Sequence, residues 1–147
     1  MKGYKKILVP LDGSETSEAI LQEIEKLASA SKANISLLYV VPIPIIPGGI
    51  EPIVNYQPIT DTLVKDAEAY LRKIEKRLKG KGFTVESHLQ EGNEAQRILE
   101  YAEGEDIDLI AMSTHGRSGV SRWLLGSVAE KVIRHATKPI LLVRSTH

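Results

Sequence analysis

Five short apolar segments alternate along the chain with four longer segments whose apolar residues recur at helical spacing. The apolar segments are residues 7–11, 35–41, 83–89, 107–112 and 139–143. Strands that alternate with helices pair in parallel through right-handed crossovers. The sequence therefore predicts an α/β fold: a single doubly wound sheet of five parallel strands with helices on both faces, which is a Rossmann-like architecture.

The polarity of these segments indicates the order of the strands. Residues 83–89 alternate apolar with polar side chains, whereas the other four segments are more uniformly apolar and are typical of buried strands. We therefore expect the third strand at an edge and the strand order 3-2-1-4-5. In that order the first and fourth strands lie side by side, and a ligand-binding crevice opens beyond their carboxyl ends.

Composition narrows the class of protein. The 147 residues suit one domain, 1–147, with one core. Nineteen basic residues balance nineteen acidic ones, which argues against a nucleic-acid partner. The absence of cysteine excludes disulfides and thiolate chemistry. The apolar stretch near the N-terminus is too short for a signal peptide or a membrane span, so we expect a cytoplasmic protein without a membrane partner.

Two polar segments follow the two central strands. Asp12, Gly13 and Ser14 form a turn signal, and residues 113–127 are rich in Gly, Ser and Arg. Glycines allow the main chain to approach a phosphate closely, and the N–H groups at the start of the following helix attract the anion. The pattern predicts a phosphate-binding loop. Ser14 and Asn93 are also placed to cap the helices that follow them.

Local interpretations compete with ligand binding in both segments. Asp12 can close an Asx turn. Ser127 and Glu130 have the spacing of a capping box, in which the Ser127 hydroxyl accepts from the Glu130 amide. Residues 42–58 hold five of the seven prolines and predict a long loop.

The signals for catalysis are weak. His115 lies near Ser118, but Val120 occupies the position of the second glycine in a nucleophile elbow, which disfavours a hydrolase triad. The chain has no Gly-x-x-x-x-Gly-Lys-Ser/Thr loop, and its four histidines lack metal-ligand spacing. We therefore expect no catalytic residues and no protein-bound metal.

The chain resembles the universal stress protein family over nearly its whole length. The resemblance is carried by residues 6–14, 113–119, 124–130 and 139–144. The ATP-binding branch of that family has Gly, two residues, Gly, nine residues and then Gly-Ser or Gly-Thr. Gly116 and Gly126-Ser127 match this pattern, and Ser113 replaces its first glycine. Serine tolerates positive φ poorly, so we expect weaker binding if the ligand requires that backbone shape. The Ser113 hydroxyl could instead hydrogen-bond a ribose.

The resemblance implies that ATP or another adenine nucleotide lies across the crevice, with Mg²⁺ or Mn²⁺ carried on its phosphates. The implied contacts are Pro10, Leu11, Asp12 and Val41 for adenine, Met112 and Ser113 for ribose, and Gly116, Arg117, Gly126, Ser127 and Val128 for the phosphates, with Ser14 and His115 at the border. It also implies a homodimer formed through the C-terminal strand, residues 139–144. An apolar strand at a sheet edge independently favours such pairing.

Three functions are compatible with this sequence. The first is a regulatory protein of the stress response that binds ATP with little or no turnover. The second is a slow ATPase or phosphotransfer enzyme that uses the same crevice. The third is a nucleotide-free dimeric interaction protein, which the serine at position 113 favours.

Overall fold

The computed structural model describes residues 3–43, 57–115 and 125–144. The predictions for Gly116, Arg117 and most of the proline-rich segment lie outside these residues. No helix within the described ranges is both long enough and apolar enough to cross a membrane.

The described residues form a sheet of five parallel strands in the order 3-2-1-4-5, which confirms the predicted topology. The strands are β1 (Lys6–Leu11), β2 (Asn34–Val41), β3 (Val85–Glu91), β4 (Leu109–Ser113) and β5 (Ile140–Val143). The helices are α1 (Glu15–Ser31), α2 (Gln57–Gly80), α3 (Glu94–Gly104) and α4 (Ser127–His135). β1 pairs with β2 and β4, so the first and fourth strands are neighbours.

Strands β3, β4 and β5 begin one or two residues later than predicted, at Val85, Leu109 and Ile140. The Phe83 amide donates to the Leu78 carbonyl at 3.2 Å and helps to end α2. The side chain of Asp108 accepts the amides of Lys5 and Lys6 at 2.7 and 3.1 Å, ahead of β4. Helix α2 includes Gln57 and Pro58, the last two residues of the segment predicted as a loop; Pro58 lies in its first turn, where proline is tolerated.

Two apolar cores lie on opposite faces of the sheet. Helices α1 and α2 pack on one face, where Ile20, Ile24 and Ile74 are at most 1% exposed. Helices α3 and α4 pack on the other face with Ile98 and Val132. The alternation of side chains along each strand supplies both cores, so helices cover both faces as the sequence predicts.

Candidate functional site

The turn after β1 is closed by its own side chains. The Ser14 amide and hydroxyl donate to Asp12 Oδ1 at 3.0 and 2.5 Å, which confirms the Asx turn. Gly13 has φ +86°, a conformation that a Cβ would strain. The Ser14 hydroxyl accepts the Ser17 amide at 3.1 Å and caps α1 as predicted. The side chain of Ser14 is therefore occupied in holding the turn.

Ser17, in the first turn of α1, hydrogen-bonds both to the turn after β1 and to the end of β4. Its hydroxyl donates to the Ser14 carbonyl at 2.9 Å and accepts the Asp12 amide at 3.3 Å. The Ser17 carbonyl accepts the hydroxyl of Ser113 at 3.0 Å. The first turn of α1 is thereby tied to the ends of both central strands. Sequence reasoning did not single out Ser17, because its position in the first turn of a helix is ordinary for serine.

Ser113 occupies the motif position of a glycine without backbone strain. Among the described non-glycine residues, positive φ occurs at Lys32 and Asp106 and not at Ser113. Ser113 is the last residue of β4 and pairs with Val143 of β5. The predicted difficulty of a serine at positive φ does not arise in this structure. The side chain is 5% exposed, and its hydroxyl bonds the Ser17 carbonyl.

The chain leaves β4 through two buried polar residues. The Thr114 amide donates to the Val143 carbonyl at 3.0 Å and extends the pairing with β5. The Thr114 hydroxyl and His115 Nδ1 lie 3.2 Å apart. Both side chains are 9% exposed, so His115 is a buried residue at the cavity wall.

Gly126 packs closely against Thr114, the residue that follows β4. Its amide donates to the Thr114 carbonyl at 2.8 Å, and its carbonyl accepts the Glu130 amide at 2.9 Å. A Cβ at this position would lie 3.0 Å from the Thr114 carbonyl oxygen. Gly126 has an ordinary φ of −63°, so close approach, and not positive φ, accounts for the glycine.

The helix α4 begins differently from the prediction. Gly126 is the N-cap, with no side-chain capping bond, and Ser127 is the first helical residue. The predicted capping box of Ser127 and Glu130 is therefore wrong. The Glu130 amide donates to the Gly126 carbonyl and not to the Ser127 hydroxyl. Ser127 is exposed, and it lies beside the N-terminal amides of α4.

These segments surround a cavity of about 180 Å³ at the carboxyl ends of β1 and β4. Nine of the residues predicted for the site line it: Pro10, Leu11, Asp12, Met112, Ser113, His115, Gly126, Ser127 and Val128. Further lining residues that the sequence did not single out are Ser17, Leu38, Val40, Glu94, Ile98, Thr114 and Ala129. The cavity thus joins the two polar segments that the predicted strand order brings together.

Two predicted contacts, Ser14 and Val41, do not line this cavity. Ser14 caps α1 instead. Along β2, Leu38 and Val40 line the cavity and pack in the core formed with α3 and α4. Because successive side chains of a strand point to opposite faces, the side chain of Val41 faces the other way. It is 1% exposed.

The ionisable side chains that line the described part of the cavity are mostly acidic. Asp12 and Glu94 supply carboxylates, His115 supplies an imidazole, and no lysine or arginine occurs among the lining residues described. In residues 3–43, 57–115 and 125–144, no three His, Asp or Glu side chains converge as a metal site would require. An anion at this wall is therefore attracted by backbone amides and by the positive end of α4.

The chain matches the model of the universal stress protein family over residues 3–144. It is 35% identical over 142 residues to universal stress protein MJ0531 of Methanocaldococcus jannaschii, in an alignment that covers 96% of this chain and 82% of that protein. Its structure is similar to that of protein MJ0577 from the same organism, with a TM-score of 0.83, 31% identity and coverage of 98% of both chains. A universal stress protein solved in complex with cAMP has a TM-score of 0.69 and 25% identity, covering 98% of this chain and 99% of that one.

Proposed function

This chain belongs to the universal stress protein family, and we propose that it is a regulatory protein of the stress response that binds ATP, or another adenine nucleotide, in the cavity between β1 and β4. The observation that carries this proposal is the junction of an apolar cavity with the N-terminus of α4 at the ends of the two central strands. The complex of a related universal stress protein with cAMP supports the same class of ligand.

The apolar part of the cavity suits the base. Leu38 and Val40 of β2, Ile98 of α3 and Met112 of β4 form a continuous hydrophobic wall. An aromatic base gains from apolar contact on its faces and needs hydrogen bonds at its edge. We place the adenine against this wall, with Val40 where the resemblance suggested Val41.

The amide-rich part of the cavity suits the phosphates. The first amides of α4 have no partner within the helix, and they lie next to the closely packed Gly126. The ribose then lies between the two parts, near Met112 and Ser113. The Ser113 hydroxyl already donates to Ser17, so we propose that it organises the cavity floor and does not bond the ribose. Gly116 and Arg117 stay predicted phosphate contacts.

We propose that the protein binds the nucleotide with little or no hydrolysis. The sequence has no Gly-x-x-x-x-Gly-Lys-Ser/Thr loop, whose lysine would stabilise charge on a transferring phosphoryl group. Nδ1 of His115 faces the hydroxyl of Thr114. We propose that a Mg²⁺ or Mn²⁺ ion arrives bound to phosphate oxygens, because the described residues supply no ligand set of their own.

We further propose that two copies associate through β5. This strand lies at the edge of the sheet, and its four residues are each partly exposed. Ile133 on the neighbouring helix α4 is 38% exposed. Pairing of two β5 edges would cover this apolar surface and satisfy the outer row of backbone groups.

The substitution Ser127→Glu tests the nucleotide site, with Ser127→Ala as its matched control. A carboxylate at the first position of α4 suits the helix dipole, so the fold is expected to be retained. The same carboxylate would repel the phosphates. We expect calorimetric titration to show ATP binding to the wild type and to Ser127→Ala, and much weaker binding to Ser127→Glu.

Ligands with and without phosphates make this test more specific. Loss of affinity in Ser127→Glu should be greater for ATP than for adenosine, because adenosine carries no phosphate. Bound ATP at one hundred times its Kd should also stabilise the wild type by about 2.7 kcal/mol in thermal unfolding. Absence of binding and of stabilisation with ATP, ADP, AMP and cAMP would refute the proposed function.

A further inference from the structure

A groove of about 340 Å³ adjoins the proposed nucleotide cavity. It lies between the end of β2, the turn that precedes α3 and the first turns of α3 and α4. Glu94, Ser127 and Val128 line both the groove and the cavity. The start of α4 is therefore a wall that the two openings share. Small-molecule sites occupy about 300–1,000 Å³, so the groove has room for an organic group.

Hydrogen bonds fix the wall of the groove that the turn after β3 supplies. The Gly92 amide donates to the Val41 carbonyl at 3.0 Å, which holds this turn against the end of β2. The Asn93 side chain accepts the Gln96 amide at 2.9 Å and caps α3. The groove is therefore a fixed feature of the fold.

One part of the groove is apolar. Ile43 is 53% exposed, and Pro42, Ala95 and Val128 line the same groove. A base, or another largely apolar organic group, gains free energy by covering such surface. This part of the groove therefore suits an organic group and not a free phosphate.

Lys131 supplies a cation to the groove. It follows Ser127 by four residues, so the two lie on the same face of α4. Within the described ranges Arg134 pairs with Glu130 at 2.8 Å, whereas Lys131 forms no ion pair. Glu94, the acidic residue of the groove, already interacts within the fold. The charge of Lys131 thus complements a phosphate that extends from the α4 amides toward the groove.

Resting on the proposed nucleotide site, we infer that the groove binds a second organic group, carried on the terminal phosphate of the nucleotide. The adenosine occupies the cavity, the phosphates lie along the start of α4, and the second group covers Ile43. The ligand class is a nucleoside polyphosphate esterified at its terminal phosphate, which includes the dinucleoside polyphosphates. The continuity of the two openings carries this inference, because Ser127 and Val128 line both.

The comparison of diadenosine tetraphosphate with adenosine tetraphosphate tests this inference, because the two ligands differ by the second adenosine. We expect calorimetric titration of the wild type to give a Kd at least about fivefold lower for diadenosine tetraphosphate, since it covers apolar surface in the groove. Adenosine tetraphosphate carries the greater negative charge, so attraction to Lys131 cannot produce this preference. Ile43→Ser removes the apolar surface, and its ratio of the two Kd values should fall close to one.

The substitution Ile59→Ser is the matched control. Ile59 is 52% exposed on α2 and is not among the described residues that line the cavity or the groove. This variant therefore loses a comparable side chain elsewhere, and it should keep the wild-type preference. Thermal unfolding of all three proteins verifies that both variants fold.

The outcomes separate this inference from the proposed function. If the wild type binds neither ATP nor the two tetraphosphates, the nucleotide site itself is refuted. Equal affinity for the two tetraphosphates, a full preference retained in Ile43→Ser, or its loss in Ile59→Ser refutes the role of the groove and leaves the nucleotide site standing. A preference that is lost in Ile43→Ser and kept in Ile59→Ser supports the inference.

Discussion

The hydroxyl of Ser113 donates a 3.0 Å hydrogen bond to the carbonyl of Ser17, across 96 positions of sequence. This bond joins the last residue of β4 to the first turn of α1. Both residues are buried, at 5% and 6% exposure, and both line the cavity. The serine that replaces a motif glycine therefore has a structural partner, and the floor of the cavity is built around that pair.

The Ser113→Ala substitution should destabilise the fold without abolishing nucleotide binding. It removes one buried hydrogen bond, worth about 1 kcal/mol. For a chain of this size the melting temperature should fall by roughly 2–5 °C. Ser31→Ala is the control, because the Ser31 hydroxyl bonds a carbonyl of its own helix, at Leu27. Equal melting temperatures for Ser113→Ala and the wild type would show that the bond contributes nothing.

The Gly126→Ala substitution should weaken ATP binding and lower stability slightly. Its Cβ would lie 3.0 Å from the Thr114 carbonyl oxygen, so the backbone at Thr114 or Gly126 must shift. Overpacking of this kind costs about 1 kcal/mol. Gly104→Ala is the control, since a Cβ there meets no atom within 4 Å. Calorimetric titration of both variants with ATP measures the effect, and an unchanged Kd for Gly126→Ala would contradict it.

Removal of the Lys6 ammonium should reduce stability at neutral pH and have much less effect in acid. Lys6 Nζ lies 3.1 Å from Glu86 Oε1, and this hydrogen bond lowers the pKa of Glu86 from its ordinary value of 4.5, although partial burial opposes it. A carboxyl with a lowered pKa stabilises the fold above the unfolded pKa and loses that effect as pH falls through the folded pKa. Lys6→Met should therefore show a smaller rise in melting temperature between about pH 3 and pH 6.

The control for this pH dependence is Lys26→Met, because Lys26 is 74% exposed in its pair with Glu23. Exposed pairs contribute little. Its melting temperature should follow the wild-type pH profile. Parallel profiles for Lys6→Met and the wild type would instead show that the Lys6–Glu86 pair does not contribute to the pH dependence of stability.

The proposed dimer predicts a solution mass of twice 16.2 kDa. Leu142→Lys places a charge in the middle of β5, and lysine on an edge strand opposes pairing with another strand. We expect the wild type to elute as a dimer in size-exclusion chromatography with light scattering, and Leu142→Lys as a monomer with retained helical circular dichroism. A monomeric wild type at micromolar concentration would refute the dimer.

The strand order and the local caps and turns were predictable from the sequence. Alternation of apolar segments indicated the strand order, and the polar pattern of residues 83–89 placed the third strand at an edge. The caps at Ser14 and Asn93 and the turn at Asp12 were also predictable. Each of these caps and turns depends on a hydrogen bond between a side chain and an amide two or three residues away, so the spacing of residue types predicts it.

The walls of the cavity were decided by the tertiary structure. The sequence could not show that Val40 faces the cavity and Val41 the opposite side, nor that Gly126 would take the Glu130 amide ahead of Ser127. Nor could it bring Glu94 and Ser17 to the same cavity. These relations depend on strand register and on how helices pack across the sheet, and both are fixed by contacts between residues distant in sequence.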